Sequence, residues 1–160
     1  MIKQAIFTLG DEKYGLDIMD ISTIEKTTSV EPKAALPANF KGVINLRGDI
    51  VPVYSLRRRF GFEDIPYDEE TRFIIGLVNE MPVAFEVDRV VEILQIEDEL
   101  LYTVPEVTFN KDNIFMKNVV NYDGRLVIIL DPKKILTEQE QDVAQNVVKN
   151  LAKKEDNEAK

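Results

Sequence analysis

The sequence predicts a mainly β protein: two small five-stranded β-barrels packed side by side, with short helical turns and a C-terminal α-helix. Three observations carry this. Val, Ile, Phe and Tyr gather in short runs punctuated by Gly, Pro, Asn and Asp; two blocks of the chain repeat each other; and a late segment carries apolar residues at helical spacing.

Taken in order, residues 5–9 and 14–18 flank Gly10-Asp11-Glu12-Lys13 and read as a first hairpin. Ile18, Ile21 and Ile24 then recur at intervals of three, which suggests one helical turn between strands whose apolar side fills a seam or caps a barrel. Residues 43–47 and 50–54 flank Gly48-Asp49 as a second hairpin. Leu56 leads into Arg57-Arg58-Arg59, read as a solvated turn of helix, and residues 60–71 form an acidic connection punctuated by Gly61 and Pro66. A third hairpin spans 73–78 and 82–87 around Asn79-Glu80-Met81, after which Val87, Val90 and Ile93 repeat the interval of three. The fourth joins 116–122 to 126–130 through Asp123-Gly124-Arg125, and Asp-Gly suits a type I′ turn because both residue types tolerate positive φ. Finally Thr137 stands as an N-cap with Glu140 three residues on, followed by Val143, Val147 and Leu151 at i, i+4 and i+8. A helix over 137–152 follows, then a frayed charged tail over 153–160.

The hairpins are related. At a spacing of 76, residues 43–51 fall on 119–127 and both read apolar-apolar-Asn-apolar-charged-Gly-charged-apolar-Val. At a spacing of 69, Ile18, Ile21 and Ile24 fall on Val87, Val90 and Ile93. A duplicated unit of about five short strands is too small for a sandwich, and barrel closure removes strand edges that would otherwise template aggregation. We therefore expect one domain over 1–136 made of two intertwined barrels, roughly 1–65 and 66–136.

Composition narrows the chemistry. The chain of 160 residues has 20 Lys and Arg against 29 Asp and Glu, a net charge of −9, which repels phosphate backbones and anionic lipid, so no nucleic acid and no direct membrane contact are expected. Cys and His are both zero, which removes thiolate nucleophiles, disulfides and the commonest general base and metal ligand. No secretory h-region opens the chain, and the expected location is the cytoplasm. The seven glycines form neither GxGxxG nor a Walker pattern, and no cofactor is expected. Asp17 with Asp20, or Asp68 with Glu69 and Glu70, are the candidate carboxylates on spacing for acid–base or metal work, and they read first as exposed turn and linker charges. What remains is an interaction module, with a carboxylate-based metal protein or enzyme and a small-barrel nucleic-acid binder as its rivals. The Arg47-Gly48-Asp49 tripeptide is a turn rather than an adhesion signal.

Residues 7–18, the block 40–53 containing Asn45-Leu46-Arg47-Gly48, residues 87–93 and residues 123–131 together resemble the CheW family of bacterial chemotaxis coupling proteins. The resemblance covers about 4–136. It implies two SH3-like five-stranded barrels about a shared seam, and a non-enzymatic scaffold joining the cytoplasmic hairpin tips of methyl-accepting chemoreceptors to the regulatory domain of the histidine kinase CheA. It also implies a protein monomeric alone and recruited into membrane-associated receptor arrays, in motility or another chemosensory pathway. The receptor helix is then expected in the groove between barrels, near Ile21, Thr23, Gly42, Asn45, Arg47 and Gly48, with Arg47 offering charge-assisted hydrogen bonds and Ile21 apolar contact. Two residues depart from the family pattern: Thr23 stands where relatives often carry Glu, and Ser55 where they often carry Asp.

Overall fold

The computed structural model describes residues 2–103, 114–122 and 124–158. Strands β1 (Ile2–Leu9) and β2 (Glu12–Asp17) form the first hairpin, and a 3-10 turn, Ile18–Asp20, leads to β3 (Ile21–Lys26). Next come the β4 (Phe40–Leu46) and β5 (Asp49–Ser55) hairpin, α1 (Leu56–Arg59), and the β6 (Arg72–Val78) and β7 (Met81–Val87) hairpin. They are followed by β8 (Arg89–Ile96), a short β9 (Leu101–Thr103), the β10 (Met116–Tyr122) and β11 (Arg125–Leu130) hairpin, α2 (Pro132–Ile135) and α3 (Glu138–Glu158). All four hairpins lie where the turn signals placed them; Asp123 of the last falls outside the described residues.

Two sheets result, ordered β8-β1-β2-β11-β10-β9 and β3-β6-β7-β5-β4. The second has the five strands expected, while the first gains β9 as a short sixth. The duplication is visible, but the barrels do not coincide with the repeats. With the first repeat written β1 to β5 and the second β6, β7, β8, β10, β11, each sheet runs third-first-second-fifth-fourth and draws its first-second hairpin from the other repeat. The parallel pairings β2 with β11 and β7 with β5 are the two matching exchange points. A boundary near residue 65 therefore ends a repeat, not a barrel. The cause is the brevity of the joins: three residues separate β2 from β3 and Asp88 alone separates β7 from β8, far short of a same-sheet parallel crossover and not shaped as a hairpin. Each join simply carries the chain into the neighbouring sheet.

Alternation along the strands builds three apolar regions. Val51, Val53, Phe73, Ile75, Ala84 and Ile44 fill the interior of one barrel, and Ile6, Ile96, Val120, Val127 and Ile129 that of the other. The intervening residues, including Phe7, Leu9, Tyr54, Ile74, Phe85 and Leu130, turn outward and meet in a seam between the sheets. Strands β1, β5, β6, β7 and β11 are thus buried on both faces, which is why they read as continuous apolar runs rather than alternating ones.

The two intervals of three resolve differently. Ile18 lies in the 3-10 turn, but Ile21 and Ile24 lie on β3, and around Val87, Val90 and Ile93 the expected helical turn is replaced by a bend at Asp88. Val90 and Val91 are β-branched and join a strand directly. The expected solvated Arg57-Arg58-Arg59 turn is also corrected. Arg57 pairs with Asp88, Arg58 donates to Asp64 and to the Ala38 and Phe40 carbonyls, and Arg59 donates to the Ile135 carbonyl. Ser55 caps α1, its hydroxyl accepting from Arg58 N at 3.2 Å.

The capping box expected at Thr137 is formed: Thr137 Oγ1 accepts from Glu140 N at 3.1 Å and Glu140 Oε1 from Thr137 N at 3.0 Å. The helix continues six residues past 152, to Glu158, because Lys153, Lys154 and Glu155 are good helix formers and neither Gly nor Pro follows to stop it. Ala144 is buried in the seam and Val147 and Leu151 pack against it, so α3 closes the body of the protein. Glu140, itself buried, also accepts from the Tyr54 hydroxyl at 3.0 Å and from Asn39 Nδ2 at 3.1 Å. Thr137→Ala should cost about 1 kcal/mol, the usual value of an N-cap. Glu140→Ala should cost more, because it removes the box and the buried Tyr54 hydroxyl's acceptor together; urea denaturation of both variants checks the order.

Candidate functional site

The β4–β5 turn consists of Arg47 and Gly48, with φ of 51° and 91°, the paired positive values of a type I′ turn that matches strand twist. Asn45 Oδ1 accepts from Gly48 N at 2.9 Å and braces it. Gly48 faces open space, and Arg47 is a non-glycine residue held in the left-handed region with its side chain 68% exposed. Its Nη2 donates to Glu25 Oε1 on β3 at 2.6 Å. This contact draws together β3 and β4, the two edge strands of the five-stranded sheet. Thr23, two residues before Glu25 and therefore on the same face of β3, also hydrogen-bonds the carboxylate. The Arg47 hydrogen bond, aided by Thr23, holds the Glu25 carboxyl below its ordinary range against a smaller opposing effect of desolvation.

The six expected site residues therefore separate by role. Thr23, Arg47 and Gly48 form an exposed rim, joined through Glu25; Asn45 shapes the turn. Ile21 is half-buried against the seam. Gly42 is buried beneath the segment that follows β3: at φ 151°, a Cβ there would lie 2.1 Å from the Glu31 carbonyl oxygen. Glu31 and Val43 exchange both backbone hydrogen bonds at 2.9 Å, laying that segment along the open edge of β4. Gly42 thus supports the rim without reaching its surface. Sequence reading overlooked Glu25, although its i, i+2 relation to Thr23 on a strand was available.

The neighbouring polar groups are committed to structure. Glu86, buried, accepts from Lys41 Nζ at 2.7 Å and from the Tyr67 hydroxyl, with the Lys41 ammonium 4.8 Å from the Tyr67 ring centre. Burial, reinforced by Glu86, pushes the Tyr67 hydroxyl far up. Asp64 is held below the carboxylate range by Arg58. Asp17 accepts from Met19 N, and Asp68 from Glu70 N, Thr71 N and the Thr71 hydroxyl, so these carboxylates cap turns. Among the described residues, no three Asp or Glu side chains group as metal ligands. No helix among them is long and apolar enough to cross a membrane.

Residues 4–140 match the CheW-like domain family. The chain belongs to that family. It is 34% identical over 145 residues to the chemotaxis protein CheW of Klebsiella aerogenes, covering 91% of this chain and 87% of that one. It is 33% identical to CheW of Thermotoga maritima, covering 82% and 85%. The crystal structure of the scaffolding protein TtCheW from Thermoanaerobacter tengcongensis superposes with a TM-score of 0.78 at 30% identity, covering 87% of this chain and 90% of that one. CheA of Bacillus subtilis also matches, at 27% identity over 132 residues, but only across 19% of its length. The two SH3-like barrels and C-terminal helix are those of a CheW scaffold, and the chain is a chemotaxis scaffold of that family.

Gly42→Ala should destabilise the fold by more than the roughly 1–3 kcal/mol of a strained backbone, since the Glu31 carbonyl must also move; chemical denaturation measures this. Because the Glu25 pKa is lowered on folding, the pair contributes stability above the ordinary glutamate range and loses it as pH falls through the lowered value. Glu25→Gln should flatten that part of the pH–stability curve, read from urea midpoints at successive pH values.

Proposed function

We propose that the rim formed by Thr23, Glu25, Arg47 and Gly48, flanked by Ile21, is the surface that receives the cytoplasmic hairpin tip of a chemoreceptor. The observation that carries this reading is Arg47: a charged side chain presented from a left-handed turn, exposed, and already satisfied by a carboxylate on the opposite edge strand of the sheet. A receptor helix carrying carboxylates or free terminal carbonyls would exchange with Glu25 for the guanidinium, while Ile21 and the β3 surface take its apolar side. Asn45 and Gly42 act indirectly, the first through the turn and the second through the 31–32 segment.

In this reading the second partner is the regulatory domain of CheA. Its support is the match between this chain and a CheA segment of similar size, which makes barrel-to-barrel association of related modules the natural geometry. The protein performs no chemistry of its own. It works in the cytoplasm, monomeric when alone and assembled with its partners into arrays at the membrane, and transmits receptor state by contacting two array states unequally.

Binding of the purified protein to the CheA regulatory domain and to a receptor cytoplasmic fragment, each repeated with Arg47→Glu, tests the assignment. Receptor binding should fall about ten- to a hundred-fold, the equivalent of roughly 1.5–3 kcal/mol for a charged hydrogen bond, with kinase binding unchanged. Equal receptor binding by both proteins would remove Arg47 from the site.

A further inference from the structure

The chain passes between the two barrels at two equivalent places. One is the 3-10 turn from β2 to β3, and the other is the bend at Asp88 from β7 to β8. At the second, the Asp88 carboxylate gathers donors from both sides. Arg57 on α1, which follows a strand of the five-stranded sheet, gives Nε at 2.7 Å and Nη2 to the other oxygen. Gly10, in the β1–β2 turn of the six-stranded sheet, gives its backbone N–H at 2.8 Å. Asp88 N in turn donates to the Thr8 carbonyl at 3.1 Å, and Arg57 Nη1 to the Glu63 carbonyl at 2.9 Å. The ion pair is largely sheltered, with Arg57 and Asp88 side chains 11% and 17% exposed.

Among the described residues, the duplicated copy of this crossing shows no such clamp. At the spacing of 69 Asp88 falls on Met19, which is 86% exposed, and at 76 Arg57 falls on Lys133. Asp20, in the 3-10 turn, feels Lys133 and Lys117 through space with no bidentate contact, so the same β-to-β passage forms without a guanidinium–carboxylate fork. What the pair adds is direction. The seam is held by apolar burial, which is non-directional, whereas a bidentate guanidinium–carboxylate contact with a third backbone donor defines an angle.

We propose that Arg57 and Asp88 are positioning residues that set the orientation of one barrel relative to the other, and that passage of receptor state to the kinase depends on that orientation. The second clause rests on the adaptor reading above; the first does not.

Residual dipolar couplings of backbone amides, fitted separately for the two sheets of the full chain, measure the orientation directly. In the wild-type protein both sheets should fit one alignment tensor. In Asp88→Asn, which keeps the shape and removes the charge, and in Arg57→Lys, which keeps the charge and removes the fork, the two tensors should diverge in orientation or amplitude. In reconstituted complexes of receptor fragment, kinase and adaptor, the same variants should lose most receptor control of kinase activity while each partner's affinity stays within about twofold. A single shared tensor in both folded variants overturns the positioning role. Diverged tensors with intact kinase control overturn its part in signalling. Failure of the adaptor reading itself would appear instead as wild-type protein that binds neither partner, and leaves the tensor result standing.

Discussion

The structure depends on the apolar seam between the two sheets. Five strands carry apolar side chains on both faces, one set turned into a barrel and the other toward the seam, so neither barrel is complete while the other is absent. Registry follows from this. A slip of one residue in β6 would turn Ile74 inward and Phe73 and Ile75 toward the seam, exchanging two sets of side chains of different size that are each closely packed. The hairpin exchange between repeats serves the same constraint, since each repeat places strands in both sheets and the chain crosses the seam twice.

Around that seam, polar groups act as directional ties. Arg59 reaches from α1 to the Ile135 carbonyl on α2, its guanidinium 5.0 Å from the Phe115 ring centre, and Phe60 stacks on Phe115 at 4.4 Å while touching Tyr14. Glu140 anchors the start of α3 to Tyr54 and Asn39 on the other side. Arg57, Arg58 and Arg59 are spent inside such contacts, whereas Arg47 stands exposed on a rim and pairs only with Glu25 among the ion pairs described.

The four hairpins, the duplication and the capping box were legible in the sequence because each rests on local chemistry: turn residues between apolar runs, a repeated pattern, a Thr three residues before a Glu. The intervals of three were less informative. The same spacing became a 3-10 turn in one repeat and a bend in the other, because Val90 and Val91 favour extended backbone and Asp88 finds its partners in Arg57 and Gly10, far away in sequence. The family block marked Arg47 and Gly42 alike, yet one is an exposed charge and the other lies under Glu31. Glu25 went unnoticed for the same reason, its partner being across a sheet edge.

The sequence by itself determined that this protein is a duplicated, hairpin-built β fold with a capped C-terminal helix and without thiol or imidazole chemistry, since those properties are set by neighbours along the chain and by composition. Which repeat completes which barrel, which arginines are sheltered ties and which one stands exposed in a left-handed turn were decided only by tertiary structure. The physical reason is that strand pairing and ion pairing join residues dozens of positions apart, and their partners are chosen by how the shared seam packs.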